Sequence, residues 1–172
     1  MSQQQADLQT RPITVRKLTA EGFSAFGQVI EPTFDGKAFD AEDAQLNLSE
    51  GTPRLYIMQL DGKGLRFRQI TRHRHVTQCL MATGADPWFI AVAPPYDLAV
   101  TDAEPKLEDI VAFEIPPGTA IKLHTGTWHA GPYFRAAKMD FLNLELADTN
   151  QVDHHSCFLD KRYGVQFEFA AA

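Results

Sequence analysis

The second half of the chain is a succession of short apolar runs separated by glycine and proline turns. The runs PWFIAVAPP, IVAFEIPPG and KMDFLNLEL each have the length of one strand, and a Pro-Pro-Gly turn separates the second from AIKLHTGTWH. One short helix is predicted after Thr19, a suitable N-cap, because Phe23 and Phe26 lie three residues apart on one face. Many short strands and almost no helix predict an all-β fold, either an antiparallel sandwich or a small barrel.

The length of 172 residues suits one globular domain with a proper core. Residues 1–11 are predicted to be a disordered lead, and residues 12–172 a single domain. A net charge of −6 argues against nucleic acid as a partner, and no apolar run is long enough to span a bilayer. The polar N-terminus lacks the layout of a signal peptide and the two cysteines form no disulfide framework, so a cytoplasmic location is predicted.

Histidines occur in two distant segments that both have strand character. His73 and His75 project to one face if their segment is extended, and Lys122 and His124 share a face by the same rule. The pattern predicts a divalent metal ion of open identity as cofactor, with His73, His75, Gln78 and His124 as ligands and a vacant position for water or substrate. The alternative is that His73 and His75 lie on a solvated face beside their neighbouring arginines.

The spacing of these residues resembles the two-motif pattern of the cupin superfamily. His73 and His75 match the His-x-His of the first motif, in which Gln78 stands in place of an acid. The segment from Pro116 to the next histidine matches the second motif loosely, and Trp128 stands where that motif has asparagine. The resemblance implies a cupin-type antiparallel β-barrel, the double-stranded β-helix or jelly roll, with the short helix near its N-terminus.

Four further segments resemble one branch of the cupins, the ureidoglycolate lyase family, also named ureidoglycolate hydrolase. They are EGFSAFGQVIE, the TQC that follows the first histidines, HTGTWHAGP and MDFLNLELADTN, and the likeness covers most of the chain to about residue 155. Members cleave ureidoglycolate to glyoxylate and urea at the end of allantoin breakdown in purine catabolism. The resemblance implies that matching family positions are occupied here by His73, Gln78, His124, Trp128, His129 and Asp140.

The chain departs from this family at three places. The family has an apolar residue at the position of His75 and a second histidine at the position of Ala130. It has an Asp-Arg pair where this chain has Glu145 and Leu146. The missing arginine matters if that group holds the carboxylate of the substrate. Separately, His75 is expected to be a third ligand peculiar to this branch.

The reaction implied by the resemblance needs two proton transfers. One carbon of ureidoglycolate carries a hydroxyl, a carboxylate and a ureido nitrogen, so cleavage requires a base for the hydroxyl proton and an acid for the nitrogen. We expect His73 and His124 to be the central pair, as ligands or as base and acid, with Lys122 on the face of His124 to bind the carboxylate. Arg72 and Arg74 are the alternative carboxylate ligands. The remaining predicted substrate-binding residues are Gln78, Trp128 and Glu145.

Several of these residues have a structural interpretation beside the functional one. Trp128 is either a wall of the pocket or part of the core, His129 either a site residue or the cap of a strand end, and Asp140 either orients a histidine or bonds a backbone N–H. Asn143 and Glu145 share the face opposite two leucines, and that face lines the cavity or meets water.

The leading function is a carbon–nitrogen lyase acting on ureidoglycolate or a close ureido or hydroxy acid. The alternatives are a metal-dependent cupin of another chemistry, such as a dioxygenase or isomerase, and a catalytically silent cupin that binds a small carboxylate. The resemblance also implies a homodimer, because an open β-sandwich must protect its edge strands.

Overall fold

A computed structural model describes residues 8–171 of the chain. The strands and helices follow one another in a β-rich order from the first strand at Gln9 to the last at Ala170. The strands are β1 Gln9–Lys17, β2 Gly27–Ile30, β3 Pro53–Asp61, β4 Arg66–Phe67, β5 Gln69–Arg72, β6 Gln78–Ala82, β7 Trp88–Ala93, β8 Val111–Ile115, β9 Ala120–Leu123, β10 Trp128–Tyr133, β11 Lys138–Leu146, β12 His155–Phe158 and β13 Val165–Ala170. The helices are α1 Ala20–Phe23, α2 Thr149–Val152 and α3 Leu159–Tyr163, with one 3-10 turn at Leu107–Asp109.

The strands form two sheets that face each other. The large sheet has the order β12-β5-β10-β7-β8-β1-β13-β4, and the small sheet has the order β2-β9-β6-β11-β3. The large sheet curls, and the arrangement is that of a cupin-type β-sandwich, so the predicted all-β class is confirmed.

The first strand corrects two expectations about the chain. β1 pairs in parallel with both β13 and β8, so the large sheet is mixed at this strand, a pairing that the predicted antiparallel fold did not include. Residues 9–11 of the expected disordered lead belong to β1 and pair with Val165, Gln166 and Phe167. Residues 1–7 lie outside the described residues. The pairing of β1 with β13 joins the two ends of the described chain, so no local sequence pattern predicts it.

The predicted N-terminal helix is present as the single turn α1. The hydroxyl of Thr19 accepts a hydrogen bond from the N–H of Gly22 at 3.0 Å, which is the expected N-cap. Phe23 and Phe26 both pack into the core. At Gly27 the backbone of β9 comes so close that an added Cβ would lie 1.9 Å from the carbonyl oxygen of Lys122, so only glycine fits there. Within residues 8–171 no helix is long and apolar enough to cross a membrane.

The large sheet has an apolar core on each of its faces. In β7, Trp88, Ile90 and Val92 belong to the core between the two sheets, together with Ile121 and Leu123 of β9. The alternate residues of β7, Phe89, Ala91 and Ala93, belong to a second core that the curled large sheet encloses. A side chain on the large sheet can therefore be buried in either of two cores. Because successive residues of a strand point to opposite faces, its position along the strand decides which core it enters.

Candidate active site

Two histidines of the large sheet point into the space between the sheets. His129 of β10 lies opposite Val92 of β7 and Thr71 of β5, and directly paired residues share a face. His73 follows two residues after Thr71, and its ring centroid is 5.0 Å from that of His129. The two imidazoles therefore lie side by side on the inner face of the large sheet, and both are at least nine-tenths buried.

The hydrogen bonds of these rings fix their tautomers. Nδ1 of His73 lies 2.6 Å from the carbonyl oxygen of Asp153, and Nδ1 of His129 lies 3.1 Å from that of Thr127. A carbonyl oxygen only accepts, so each Nδ1 carries the proton and donates it. Both Nε2 atoms consequently keep a lone pair, which makes each ring an acceptor, a base or a metal ligand.

Asp153 holds the segment that carries His73. Its carboxylate accepts hydrogen bonds from the backbone N–H of Arg74 at 2.7 Å and of His75 at 2.8 Å, while its carbonyl accepts from His73. One residue thus fixes both the backbone that follows His73 and the orientation of its ring. Charge-assisted bonds of this kind are stronger than bonds between neutral groups.

The small sheet presents a polar network on its inner face. Glu145 of β11 is 1% exposed, and its carboxylate accepts from the hydroxyl of Tyr56 at 3.1 Å and from Nε2 of Gln78 at 3.2 Å. Asn143 donates through Nδ2 to the Tyr56 hydroxyl at 3.1 Å and accepts from Gln78 Nε2 at 3.1 Å. Asn143 and Glu145, which were predicted to face either the cavity or water, therefore face inward. The carboxylate of Glu145 orients the Gln78 amide and the Tyr56 phenol directly, and it orients the Asn143 amide through Tyr56.

Burial controls the protonation of the two histidines. It lowers the pKa of His73 below the usual value, although the hydrogen bond to Asp153 and the charges of Asp153 and Glu145 act in the opposite direction. Burial is also the main reason that the pKa of His129 falls to about 3, with the neighbouring His73 adding to the effect. Both imidazoles are therefore neutral at pH 7. His73 is the more basic of the two, because nearby carboxylates favour its charged form.

Lys122 and His124 lie together, but on the other face of the small sheet. Leu123 pairs with Gln78 and joins the inter-sheet core, so Lys122, paired with Cys79, projects the opposite way. The Nζ of Lys122 lies 2.9 Å from Nδ1 of His124, whose Nε2 lies 3.0 Å from the carbonyl of Ser24. The prediction that His124 meets His73 in one cavity is therefore wrong, because the apolar alternate residues of β9 occupy the inside.

Arg72 and Trp128 lie in the second core of the large sheet. The guanidinium of Arg72 stacks over the Trp128 ring, with Cζ 4.8 Å from the centroid, and donates to the carbonyls of Tyr96, Asp97 and Val100. Both residues alternate with His129 and Thr71 and so face away from them. The structure does not bring either residue to the inner face, because Arg72 is occupied by backbone carbonyls and Trp128 is a core residue.

The four predicted metal ligands do not converge. The side chain of His75 is 49% exposed, and its Nδ1 lies 3.2 Å from a carboxylate oxygen of Glu50, while His124 is on the far face of the small sheet. Of the predicted set, His73 and Gln78 project into the space between the sheets. Within residues 8–171 no group of three or more His, Cys, Asp or Glu side chains is arranged to hold a metal ion. The donor set therefore does not fit the predicted metal.

Other predicted positions have simple surroundings. Asp140 accepts a hydrogen bond from Nε2 of Gln59 at 3.0 Å, on the outer side of the small sheet, and orients no histidine. Arg74 donates to the carbonyl of Leu98 at 3.0 Å and is partly exposed. His154 is exposed, although its ring centroid is 5.7 Å from that of His73.

Sequence reasoning missed Tyr56, Asp153 and Arg54 and undervalued His129. Tyr56 and Arg54 lie opposite Asn143 and Glu145 in the pairing of β3 with β11, so all four share the inner face. The guanidinium carbon of Arg54 is 3.7 Å from the centroid of the Tyr56 ring. The alternation in β3 was visible, but its register against β11 joins segments 89 residues apart and has no local signal.

Comparisons with known proteins agree with these motifs. A family model described as ureidoglycolate lyase matches residues 10–166. A protein named ureidoglycolate lyase 2, from Rhizobium meliloti (strain 1021), is 25% identical over 170 residues, which covers 91% of this chain and 98% of that protein. Neither match points to the dioxygenase, isomerase or silent carboxylate-binding alternatives.

Proposed function

This chain belongs to the ureidoglycolate lyase family, and on that premise we propose that it releases urea and glyoxylate from ureidoglycolate. The observation that carries the proposal is the pair of neutral imidazoles, His73 and His129, on one inner face, with the Glu145 network on the facing sheet. The space between the sheets thus offers lone pairs, amides and one carboxylate to a small polar molecule.

His73 is the proposed base of the reaction. Its free Nε2 takes the proton of the substrate hydroxyl as the C=O bond of glyoxylate forms and the C–N bond breaks. The same imidazolium then delivers that proton to the departing ureido nitrogen, so urea leaves neutral and no net proton is gained or lost. Glu145 and Asp153 favour the charged ring during this step, because both carboxylates act on His73.

His129 has a different proposed role. Its pKa of about 3 makes it a weak base, so it stays neutral throughout and its Nε2 accepts a hydrogen bond from the substrate. Its position beside His73 places that acceptor next to the atom that moves the proton.

Arg54 is the proposed ligand of the substrate carboxylate. Lys122 projects from the opposite face of the small sheet, and Arg72 is bonded to three backbone carbonyls, so neither is free for this role. Arg54 lies opposite Glu145 on the inner face, is exposed at the end of β3 and stacks on Tyr56. A guanidinium suits a carboxylate, and it offsets the charge of Glu145 as the anionic substrate enters. An arginine on β3 thereby takes the place of the family arginine that is absent after Glu145.

Direct measurement of glyoxylate release from ureidoglycolate tests the proposal. We expect turnover in the unsubstituted protein and a fall in kcat of at least about 100-fold in His73→Ala, the usual cost of losing one proton-transfer group. His124→Ala, which removes an imidazole from the outer face, is the matched control and keeps the turnover.

The same assay, repeated after dialysis against a chelator, examines the predicted metal. Because the four predicted ligands do not converge, we expect turnover to persist. No release by the unsubstituted protein, or full turnover in His73→Ala, would refute the proposed function. Activity lost to the chelator and restored by a divalent ion would refute the metal-free route through His73.

A further inference from the structure

Gln78 on the inner face of the small sheet carries one of three buried side-chain polar atoms that have no partner among residues 8–171, the others being Nε1 of Trp88 and Nε1 of Trp128. Gln78 is 8% exposed, and its Oε1 is buried without a hydrogen bond to any residue that the structure describes. Its neighbours along and across the strand offer no donor, because Leu80 on β6 and Leu123 opposite it on β9 are apolar. An unsatisfied buried acceptor costs free energy, so such an atom in a native site calls for an explanation.

The orientation of the Gln78 amide is imposed by its network. The carboxylate of Glu145 accepts from Tyr56, so the phenol oxygen is left to accept from Nδ2 of Asn143. This turns Oδ1 of Asn143 toward Gln78, where the second acceptor is the other oxygen of Glu145. A flipped Gln78 would place Oε1 against two acceptors and lose both bonds. The unpartnered oxygen is therefore a consequence of the two bonds that Nε2 of Gln78 donates to Asn143 and Glu145.

We propose that Oε1 of Gln78 accepts a hydrogen bond from an N–H of the substrate's ureido group, and so selects ureido acids over keto acids of the same shape. This inference rests on the proposed function, which supplies the ureido group. The two atoms that contact the Gln78 amide, Oδ1 of Asn143 and one carboxylate oxygen of Glu145, are both acceptors, and in this proposal the ligand supplies the donor for Oε1. A ureido group carries N–H donors, whereas a methyl ketone of equal size carries none.

The selectivity follows from the free-energy cost of binding a ligand that has no donor for Oε1 of Gln78. A site built to bond a substrate N–H rejects an analogue without it, because the buried acceptor is again left unpaired in the complex. Gln78 is a specificity residue in this account and moves no proton. Its loss should change the ranking of ligands more than it changes the chemistry at His73.

Binding of two acids by calorimetry tests the inference. N-carbamoylglycine keeps the ureido group and carboxylate but lacks the hydroxyl, so it cannot be cleaved; 4-oxopentanoate has nearly the same shape and lacks both N–H groups. We expect the unsubstituted protein to bind N-carbamoylglycine at least about tenfold more tightly. Gln78→Met should remove that preference, and Gln59→Met, the same change on the outer face, should keep it.

Several results would overturn the inference. They are equal binding of both acids, binding of neither, or a preference that persists in Gln78→Met. Equal binding of the two acids by the unsubstituted protein overturns the inference even where Gln78→Met does not fold. A rise in Tm on adding Mn²⁺ or Ni²⁺ that is lost in Gln78→Met would overturn it too, since the partner of Oε1 would then be a cation.

The inference and the proposed function fail separately. Glyoxylate release without a preference for the ureido acid would overturn the role of Gln78 alone. A preference for the ureido acid without glyoxylate release would refute the proposed reaction and support ureido recognition by this site.

Discussion

At the scale of single residues, a hydrogen bond to a backbone carbonyl determines which nitrogen of His73 is free to act as a base. The bond from Nδ1 to Asp153 leaves Nε2 as the free atom, and nearby carboxylates partly offset the loss of basicity that burial causes. His129 has the same tautomer, but no carboxylate raises its pKa in the same way, and that pKa falls to about 3. Two imidazoles whose ring centroids are 5.0 Å apart therefore suit different roles.

The pKa of His129 predicts how the fold responds to acid. Its pKa in the folded protein is about 3, against 6.5 for an unburied imidazole, so the unfolded chain binds more protons between these values. Stability contributed by neutral His129 is therefore complete above pH 6.5 and is lost as the pH falls toward 3. Urea denaturation at a series of pH values should show a smaller acid-induced loss in His129→Gln than in the unsubstituted protein.

The control for this experiment is His75→Gln, which removes an imidazole that is half exposed. That variant should follow the unsubstituted protein across the whole pH range. Identical acid profiles for His129→Gln and the unsubstituted protein would contradict the assignment.

At the scale of elements, strand parity and register distribute the functional groups. On β9 the core between the sheets takes Ile121 and Leu123, which sends Lys122 outward. On β5 the second core takes Ile70, so Arg72, two residues further on, faces that same core. Arg72 then fastens a loop to the sheet through three carbonyls of residues 96–100. Its role in this structure is to hold an element in place.

Removal of Arg72 should destabilise the protein and spare the chemistry. Arg72→Met leaves the carbonyls of Tyr96, Asp97 and Val100 without their donor, and we expect a loss of at least about 2 kcal/mol in the free energy of unfolding. Urea denaturation measures the loss, and limited proteolysis should cut residues 94–103 sooner. The glyoxylate assay should give an unchanged kcat at a temperature where the variant is folded.

Arg74→Met is the matched control, because within residues 8–171 the guanidinium of Arg74 makes one hydrogen bond, to the carbonyl of Leu98, from a more exposed position. It should lose clearly less stability than Arg72→Met. A folded Arg72→Met variant with a normal unfolding midpoint and a lost kcat would instead place Arg72 in the catalytic site.

At the scale of the whole molecule, the outer face of the small sheet carries an apolar patch. Leu55 and Ile57 of β3 are 64% and 55% exposed, and Leu142 of β11 lies opposite Ile57 on the same face. β3 is also the last strand of its sheet, and no strand within residues 8–171 pairs with its outer edge. A second copy of the chain, related by a twofold axis, would cover both the apolar side chains and the open edge of β3.

The homodimer therefore remains a prediction, with β3 as its expected contact. Light scattering after size exclusion should give twice the chain mass of 19.2 kDa. Ile57→Asp should shift the mass to that of one chain, because it places a charge in the middle of the patch. Phe158→Asp, which alters an exposed aromatic of the other sheet, should leave the mass unchanged. A monomeric unsubstituted protein, or a dimer that tolerates Ile57→Asp, would contradict this contact.

The sequence by itself determined what is local or shared with relatives. The strands β7, β8, β9 and β11, the Thr19 cap, the common face of Lys122 and His124 and the family motifs all follow from neighbouring residues, and each agrees with the fold or the family match. Only the tertiary structure decided which face of each strand is inside, that β1 pairs in parallel, and that Tyr56 and Gln78 meet Glu145. Alternation places residues on two faces within one strand, whereas the inside is chosen by burial of apolar side chains across strands distant in sequence. For this reason His124 was predicted in the site and lies outside it, while His129 and Asp153 complete it.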